Sequence, residues 1–272
     1  MHGSAAPSSR TLLVGSGKIA ARLAPQFLEN GEVYALRRSD SPPPAGAIGI
    51  RADLAAPLAA RLPAVDRMLV TLPPGDTPAA YRTALTHLAA ALPAMPARTV
   101  FVSSTGVFDG SGSARPITER DQPGPTSMRS RGLLDGERAA VEIFDATIVR
   151  PAGIYGPGRE YLLRTVRAGV AVEHARRTNR IHETDLVRTL EMLLRMPEPP
   201  RLLHAVDESP APLGDVVTFI ARELGVEVPP DIASAEPGGF VYDGTLLRSM
   251  LGRLDYPTYR EGYVAMIAGS AA

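Results

Sequence analysis

Two closely spaced glycines, Gly15 and Gly17, stand in a segment whose residue types suit pyrophosphate binding. They follow the apolar run Leu12–Val14, and Ala20 takes the next small position. Glycines give a tight turn there and let backbone N–H groups at the next helix's N-terminus approach an anion, which the helix dipole also favours. The spacing therefore predicts a dinucleotide-binding turn, with an ordinary strand–helix turn as the alternative. The predicted cofactor-binding residues of this turn are Gly15, Ser16, Gly17, Lys18 and Ile19.

Two arginines follow the next apolar segment, at the place that selects between dinucleotides. Glu32–Leu36 is predicted to be a second strand, which completes a βαβ unit, and Arg37 and Arg38 come directly after it. An acidic residue about twenty positions past the glycines holds a ribose 2′-hydroxyl, whereas an arginine there suits a 2′-phosphate. Guanidinium groups bind phosphate through charge-assisted bidentate bonds. Arg37 and Arg38 therefore predict NADP, with NAD less favoured, unless both are simply solvated in a polar loop.

Three further residues follow predicted strands on the same side of the site. Asp53 comes after a third strand over 47–50, and it either contacts the adenine end of the cofactor or caps a predicted helix over 54–62. Leu72 and Pro73 come after a fourth strand, and loops at the carboxyl ends of parallel strands are where open α/β sheets bind ligands. We therefore expect Asp53, Leu72 and Pro73 to lie beside the cofactor.

Three consecutive hydroxyl side chains, Ser103, Ser104 and Thr105, follow the fifth predicted strand, 99–102. They are expected at the edge of the sheet that faces the glycine turn, where the reactive end of a dinucleotide would lie. A hydroxyl at that place can donate a hydrogen bond to a reacting oxygen. The alternative is that the three hydroxyls only cap and turn the chain.

The order of the predicted elements is typical of a doubly wound α/β protein, because strands and helices alternate over the first part of the chain. A sixth strand is predicted over 146–150 and a seventh over 202–206. Helices are predicted over 18–29, 77–92, 126–144, 159–168, 183–195 and 212–224. The sequence therefore predicts a parallel sheet of about seven strands with a smaller C-terminal lobe.

The predicted domains follow from that order. Residues 1–10 form a flexible tail, and 11–155 form the dinucleotide-binding domain, to which 181–208 return. The substrate-binding lobe is predicted to comprise 156–180 and 209–272.

Composition limits the classes of partner. The chain of 272 residues has 29 basic and 29 acidic side chains, so no overall basic field favours nucleic acid or an anionic membrane. It has no cysteine, which excludes disulfides and thiolate metal sites and fits a reducing cytoplasm. We therefore expect a cytoplasmic protein with a small-molecule substrate, no metal, no nucleic-acid or membrane partner, and a homodimer as an allowed state.

Four segments together resemble the extended or atypical short-chain dehydrogenase/reductases, near their nucleoside-diphosphate-sugar epimerase/dehydratase branch. They are the glycine turn, Ser103–Phe108, Arg150–Gly158 and Asn179–Asp185, and the resemblance covers about Thr11 to Tyr263. It implies a Rossmann-type domain that binds NAD or NADP and a smaller C-terminal lobe over the substrate.

The resemblance also implies roles for single residues. Ser104 matches the serine that hydrogen-bonds the reacting oxygen, and its neighbours Ser103 and Thr105 could replace it. We assign Ser103 to the cofactor side and Thr105 to the substrate side. His182 matches a segment on the substrate side, and Asp185 is expected to be structural. The segment that passes along the nicotinamide is matched by Pro151, Gly153 and Ile154.

The chain departs from the family at its catalytic pair, a tyrosine followed four residues later by a lysine. Ser127 stands at the tyrosine position and Arg131 at the lysine position. A phenol with a pKa near 10 can be tuned to exchange protons near neutrality, whereas an alkyl hydroxyl is far less acidic. Arg131 can still hold the nicotinamide ribose, but it is always charged and cannot replace a lysine in a proton relay. Tyr155 or His182 is a candidate replacement acid, although Tyr155 more simply packs in its turn.

These residues leave three functions open. The favoured one is an NADP-dependent oxidoreductase or epimerase-like enzyme acting on a small polar substrate such as a sugar nucleotide, with Ser104, Ser127, Arg131 and Tyr155 as its candidate catalytic residues. The alternatives are a redox-inactive NADP-binding sensor or regulatory protein, and a non-redox isomerase or dehydratase that uses the same pocket.

Overall fold

A computed structural model describes residues 9–110, 115–234 and 238–270 of the chain. Most of the tail predicted over 1–10 therefore lies outside the described residues. Its last two residues, Ser9 and Arg10, are not a tail, because they form the start of the first strand and pair with Gly31 and Glu32. No helix of the described ranges is long and apolar enough to cross a bilayer.

Strands and helices alternate through the first half of the described chain, except that β2, β3 and β4 follow one another with no helix between them. The strands are β1 (Ser9–Val14), β2 (Gly31–Arg37), β3 (Ile48–Arg51), β4 (Arg67–Val70), β5 (Arg98–Val102), β6 (Thr147–Pro151), β7 (Gly153–Tyr155), β8 (Arg177–Thr178), β9 (Arg180–His182), β10 (Leu202–Ala205) and β11 (Ala211–Pro212). The helices are α1 (Lys18–Leu28), α2 (Ala80–Ala91), α3 (Met128–Phe144), α4 (Tyr161–Arg167), α5 (Glu183–Arg195), α6 (Leu213–Leu224), α7 (Thr245–Leu251) and α8 (Tyr259–Ser270). A short 3₁₀ helix covers Thr105–Phe108.

Seven strands form the central sheet in the order β10-β6-β5-β4-β1-β2-β3. The pairs of β1 with β2 and β4, of β2 with β3, and of β5 with β4 and β6 are all parallel. The predicted parallel α/β sheet of about seven strands is confirmed. Because the strand order reverses between β1 and β4, the crevice at their carboxyl ends is the topological switch point, where such sheets bind ligands.

Apolar patterning explains the elements that support this crevice. Leu12, Leu13 and Val14 of β1 have no exposed surface, as expected for a strand covered on both faces. Helix α1 buries Ile19, Ala20, Leu23, Ala24 and Phe27 on one face. The sheet and this helix therefore fix the place of the turn between them.

One predicted helix is wrong. Residues 54–62 form turns and irregular chain, although their composition is apolar. Pro57 lies in the middle of that segment, and an internal proline removes a backbone donor and clashes with the preceding turn. Asp53 consequently caps no helix, and its Oδ1 instead accepts a hydrogen bond from the Ala55 N–H at 3.0 Å.

The chain divides into two compact units. Over their described residues, the first comprises Met1–Ser111, Gln122–Arg150 and Leu190–Leu203, and the second comprises Gly112–Asp121, Pro151–Thr189 and His204–Ala272. The predicted sheet domain included 181–208, whereas the units divide that stretch after Thr189 and after Leu203.

The second unit has a core of its own. Helices α4, α6 and α8 contribute Leu163, Val166, Val216, Ile220 and Tyr263 to a cluster of buried residues that also includes Tyr155. Helices α7 and α8 lie in the Pro- and Gly-rich C-terminal stretch for which no element was predicted.

Candidate functional site

The glycine turn is held at the switch point by backbone contacts. Gly15 has a φ of +88°, and a Cβ there would lie 2.9 Å from the Thr71 carbonyl oxygen. The Gly15 N–H donates to the Leu36 carbonyl at 3.0 Å, and the Thr71 hydroxyl donates to the Gly15 carbonyl at 2.6 Å. Position 15 therefore requires glycine for both its dihedral angle and its close approach to β4.

Gly17 has no such constraint from the described residues. It is the N-cap of α1 with a φ of −86°, and as a glycine it supplies no side-chain cap to this helix. A Cβ at Gly17 would meet no atom of the described residues within 4 Å. Because this helix N-terminus is left open by the described chain, the turn fits a pyrophosphate that approaches the backbone closely.

Most of the predicted cofactor residues of the first unit line one cleft of about 720 Å³. Those at the cleft are Gly15, Ser16, Gly17, Arg37, Arg38, Asp53, Leu72 and Pro73. Lys18, Ile19 and Ser103 are not among its lining residues. The side chain of Ile19 is instead buried in the face of α1 that packs on the sheet, so only its backbone can serve a ligand.

The arginines beside this cleft differ in whether they have an acidic partner. Arg51 lies opposite Arg37 in the β2–β3 pair, and its guanidinium forms an ion pair with Asp40 at 2.7 Å. Arg37 and Arg38 form no ion pair within the described ranges. The Arg37 guanidinium lies beside Gly49 of β3, since a Cβ there would be at an ordinary contact distance of 3.7 Å from its Nη2. The two uncompensated arginines give this end of the cleft a positive charge.

Of the three consecutive hydroxyls, Ser103 points into the interior of the first unit and not into the cleft. Its Oγ donates to Oε1 of the buried Glu137 at 2.6 Å. Glu137 also forms a bidentate ion pair with Arg150, whose Nε and Nη2 lie 2.8 and 2.6 Å from the two carboxylate oxygens. Since successive residues of an extended chain face opposite sides, Ser103 and Ser104 cannot both face a ligand.

Ser104 keeps a hydroxyl proton that its described neighbours do not use. It is the N-cap of the 3₁₀ helix, and its Oγ accepts a hydrogen bond from the Gly106 N–H at 3.0 Å. It is half-buried, whereas Thr105 is only 8% exposed. With its oxygen accepting from the Gly106 N–H, the Ser104 hydroxyl can donate a hydrogen bond to a reacting oxygen, the role expected from the sequence.

Ser127 caps helix α3. Its Oγ accepts from the Ser130 N–H at 3.1 Å and donates to the Ser130 hydroxyl at 3.0 Å. Asp109 accepts from the N–H groups of Thr126 and Ser127 at 2.8 and 3.1 Å. Partial desolvation acts to raise the pKa of Asp109, but hydrogen bonds from Ser127, Thr126 and Ser130 outweigh it and hold that pKa well below its usual range.

Arg131 lies one turn further along α3 and is exposed. Its N–H donates to the Ser127 carbonyl at 3.1 Å, as in a regular helix. Ser127 and Arg131 are thus brought together on one helix face, the arrangement that the family's catalytic pair also has. The hydroxyl of Ser127, however, already has two partners within the protein.

Tyr155 is a packing residue of the second unit. It is 4% exposed, its ring contacts those of Tyr263 and His182, and its hydroxyl donates to the Thr258 carbonyl at 3.2 Å. Burial raises the pKa of its phenol well above the usual value, and the charge of Asp207 acts in the same direction. These contacts do not fit a replacement acid near neutral pH, and they support the alternative that Tyr155 packs in its turn.

His182 is also buried, at 2% exposure, with its ring 3.7 Å from that of Tyr256. Its Nδ1 accepts from the Thr184 N–H at 3.2 Å. The described residues therefore bury the His182 ring, and a substrate cannot reach it in this arrangement. Asp185 is fully buried and accepts from the backbone N–H groups of Asp255 and Tyr256, a structural arrangement.

The segment expected to pass along the nicotinamide lies in the second unit. Pro151 is buried, Ile154 is half-buried and Gly153 is exposed. The Gly153 N–H donates to the Asn179 carbonyl at 3.2 Å, which joins β7 to β9.

A second cavity of about 380 Å³ lies beside the first turn of α3, and most of its residues were not predicted from the sequence. Ser127, Met128, Arg129 and Tyr81 line it, and Tyr81 and the loop 74–77 also line the larger cleft. The hydroxyl of Tyr81 donates to the Leu72 carbonyl at 2.9 Å. No sequence pattern marked Tyr81 or Arg129 as a site residue, because both lie in helical segments whose patterns indicate packing or solvent exposure.

Part of the chain is similar in sequence to a known family and to a curated protein. Residues 76–179 match the RmlD substrate binding domain family. A dTDP-4-dehydrorhamnose reductase from Mycobacterium tuberculosis is 34% identical over 133 residues, which cover 45% of this chain and 44% of that protein. The match thus spans less than half the length of this curated relative.

The structural comparisons cover almost the whole chain. A protein from Methylobacillus flagellatus, provisionally assigned as an NAD-dependent epimerase/dehydratase, is 27% identical with a TM-score of 0.80, covering 97% of this chain and 100% of its own. A dTDP-glucose 4,6-dehydratase from Streptomyces venezuelae, solved with NAD bound, shares the fold at 16% identity and a TM-score of 0.76, covering 95% and 96%. The resemblance found in the sequence is confirmed: this chain is similar to sugar-nucleotide reductases and to NAD-dependent epimerase/dehydratases of the extended short-chain dehydrogenase/reductase type.

Proposed function

We propose that this protein is an NADP-binding oxidoreductase that acts on a sugar nucleotide. The observation that carries the proposal is the cleft at the switch point, which joins an uncapped helix N-terminus to two arginines without a carboxylate partner in the described residues. The first favours a pyrophosphate and the second a 2′-phosphate. The kinship with dTDP-4-dehydrorhamnose reductase supports the reductive reaction and the substrate class.

Residues of the first unit would hold the dinucleotide. Gly15, Ser16 and Gly17 would face the pyrophosphate, Arg37 and Arg38 the 2′-phosphate, and Asp53 the adenine end. Leu72 and Pro73 form the apolar wall of the same cleft. When bound, NADP supplies the nicotinamide ring that exchanges hydride.

Two residues of the first unit would serve the substrate end. Ser104 would donate a hydrogen bond from its hydroxyl to the substrate oxygen at which charge develops, because its own oxygen already accepts from the Gly106 N–H. Arg131 is exposed on the second turn of α3 and offers its guanidinium donors to the nicotinamide ribose.

Calorimetric titration with NADPH and with NADH tests the proposal. We expect the wild type to bind NADPH more tightly, and Arg37→Ala or Arg38→Ala to weaken NADPH binding by about tenfold to a hundredfold, the equivalent of a charge-assisted hydrogen bond. Arg51→Ala is the matched control, because its charge already has Asp40 as a partner. Failure of the wild type to bind either nucleotide would overturn the cofactor assignment.

A second candidate function is a redox-inactive NADP-binding protein. It is favoured by the environments of two candidate catalytic residues. The hydroxyl of Ser127, at the tyrosine position, caps α3, and Tyr155 is buried. The two candidates differ in turnover. Consumption of NADPH in the presence of dTDP-4-dehydrorhamnose supports the oxidoreductase, whereas tight NADPH binding without consumption supports the binding protein.

A further inference from the structure

The turn that carries Ser104 is tied to helix α3 at both of its ends. At the first end, the Ser103 hydroxyl donates to Glu137 at 2.6 Å. At the other end, the Asp109 carboxylate accepts from the backbone N–H groups of Thr126 and Ser127, directly before α3 begins. The residues 103–109 therefore bridge two points of α3 that lie about three turns apart.

The Glu137 attachment is built on a buried charge pair. Glu137 is 5% exposed and Arg150 is 4% exposed, and the Arg150 guanidinium also lies 5.1 Å from the centre of the Phe108 ring, at the end of the same turn. Nη1 of Arg150 is buried and has no hydrogen-bond partner among the described residues. A buried ion pair with an unsatisfied donor is a poor source of stability, although losing one partner is costly. The pair instead fixes the carboxylate to which Ser103 is bound.

Between these two attachments the turn packs closely on α3. A Cβ at Gly106 would lie 3.6 Å from Cδ1 of Leu133 and 3.3 Å from Oγ of Ser104. The Gly106 N–H also sets the direction of the Ser104 hydroxyl. The orientation of Ser104 thus depends on how the turn lies against the helix that carries Ser127 and Arg131.

We propose that Glu137 and Asp109 are positioning residues for Ser104, holding residues 103–109 on α3 from both ends so that its hydroxyl keeps one direction relative to Ser127 and Arg131. Neither residue is a candidate to touch a ligand, and both act through the turn. The inference rests on the proposed function only in its choice of nucleotide probes.

Amide hydrogen exchange of the full chain gives the first test, because the Gly106 N–H reports the Ser104 hydrogen bond. We expect Glu137→Gln and Asp109→Asn to speed exchange at Gly106 by about tenfold, the loss expected for a hydrogen bond to a charged group. Ser103→Ala removes only the hydroxyl that binds Glu137, so it should speed exchange at Gly106 in the same way and is the variant to use if Glu137→Gln does not fold. Ser103→Thr keeps a hydroxyl at this position and should keep exchange as slow as in the wild type.

Asp135→Asn is the matched control on the same helix. Asp135 pairs with Arg82 of α2 at 3.3 Å and forms no hydrogen bond or ion pair with the Ser104 turn among the described residues, so its loss is expected to perturb α3 without releasing that turn. Exchange at Gly106 that rises equally in Asp135→Asn and Glu137→Gln would overturn the proposal, since it would reflect a general loss of stability.

Nucleotide binding gives the second test. Adenosine 2′,5′-bisphosphate probes the arginine end, and NADPH fluorescence probes the nicotinamide end. We expect Ser103→Ala and Glu137→Gln to leave the bisphosphate affinity unchanged and to lower the fluorescence enhancement of bound NADPH, whereas Asp135→Asn changes neither. An unchanged NADPH signal would overturn the positioning role. If the wild type binds neither nucleotide, the proposed function fails, and hydrogen exchange alone decides the positioning.

Discussion

The first turns of α1 and α3 are both helix N-termini beside the candidate site, but they are built in opposite ways. Helix α1 begins at Gly17, which offers no side-chain cap and leaves the space above it open to the described chain. Helix α3 begins at Ser127, whose hydroxyl caps the helix while Asp109 accepts two more N–H groups before it. The first terminus is therefore suited to an external anion, and the second already has its anion within the chain.

This difference separates two parts of the candidate site. The proposed cofactor end relies on groups that the described residues leave unused. At the end that corresponds to the family's tyrosine and lysine, the hydroxyl of Ser127 instead caps helix α3. Restoring the tyrosine and lysine is expected to have the largest effect on this difference between the two ends.

Ser127→Tyr combined with Arg131→Lys is expected to create or raise hydride transfer. A positioned acid typically contributes about 10²- to 10⁴-fold, and an alkyl hydroxyl at this position cannot act as one. The measurement is NADPH consumption with dTDP-4-dehydrorhamnose. A folded double variant that binds NADPH and shows no gain would contradict the interpretation that the remaining pocket is competent for reduction.

Gly17→Asp would close the open terminus of α1. Its carboxylate can cap the helix from a backbone conformation that aspartate adopts readily, so we expect unchanged or slightly higher thermal stability. The same charge repels a pyrophosphate, so we expect NADPH affinity to fall by about a hundredfold, the order of a lost charge-assisted contact with added repulsion. Gly17→Asn is the neutral control. Equal affinities in the two variants would argue against an anion at this terminus.

Ser127→Ala removes the cap of α3. Loss of a serine N-cap costs about 1 kcal/mol of unfolding free energy, and we expect a loss of that order by denaturant unfolding. Nucleotide affinity should stay unchanged, because Ser127 is not a lining residue of the larger cleft. A fall in turnover without a fall in stability would instead assign Ser127 a direct catalytic role.

Acidification tests the carboxylate beside the same cap. The pKa of Asp109 is lowered in the folded chain, so its contribution to stability is present above the unfolded pKa near 4 and is lost as the pH falls toward the folded value. We expect the wild type to lose more unfolding free energy than Asp109→Asn below about pH 4. Since Asp109 is exposed, solvent screening makes this the smallest of the four effects. Parallel pH profiles for the two proteins would show that the carboxylate contributes no stability.

Sequence patterns predicted the sheet and most of the residues that line the large cleft at the switch point, because those features depend on local rules. Apolar runs and glycine spacing placed Gly15 and Gly17 at the switch point, and helix α5 has the predicted limits Glu183–Arg195. Pro57 was a local signal against the helix over 54–62, but the apolar composition of that segment outweighed it in the prediction.

The features that could not be predicted depend on which way a side chain faces. Nothing local distinguishes Ser103 from Ser104, and only the partners Glu137 and Gly106 give them different environments. Likewise, the residues that bury Tyr155 and His182, including Tyr263 and Tyr256, lie in a C-terminal stretch for which no element was predicted. A family alignment can place such residues in sequence without revealing whether they are accessible.

The two glycines of the nucleotide turn would separate in a mutational scan. Selection for folded protein alone should deplete substitutions at Gly15, whose φ of +88° and proximity to Thr71 exclude a side chain. The same selection should leave Gly17 variable, because no atom of the described neighbours restricts it. A scan that selects for nucleotide binding should deplete both positions. The difference between the two scans would show which glycine the fold requires and which one only the ligand requires.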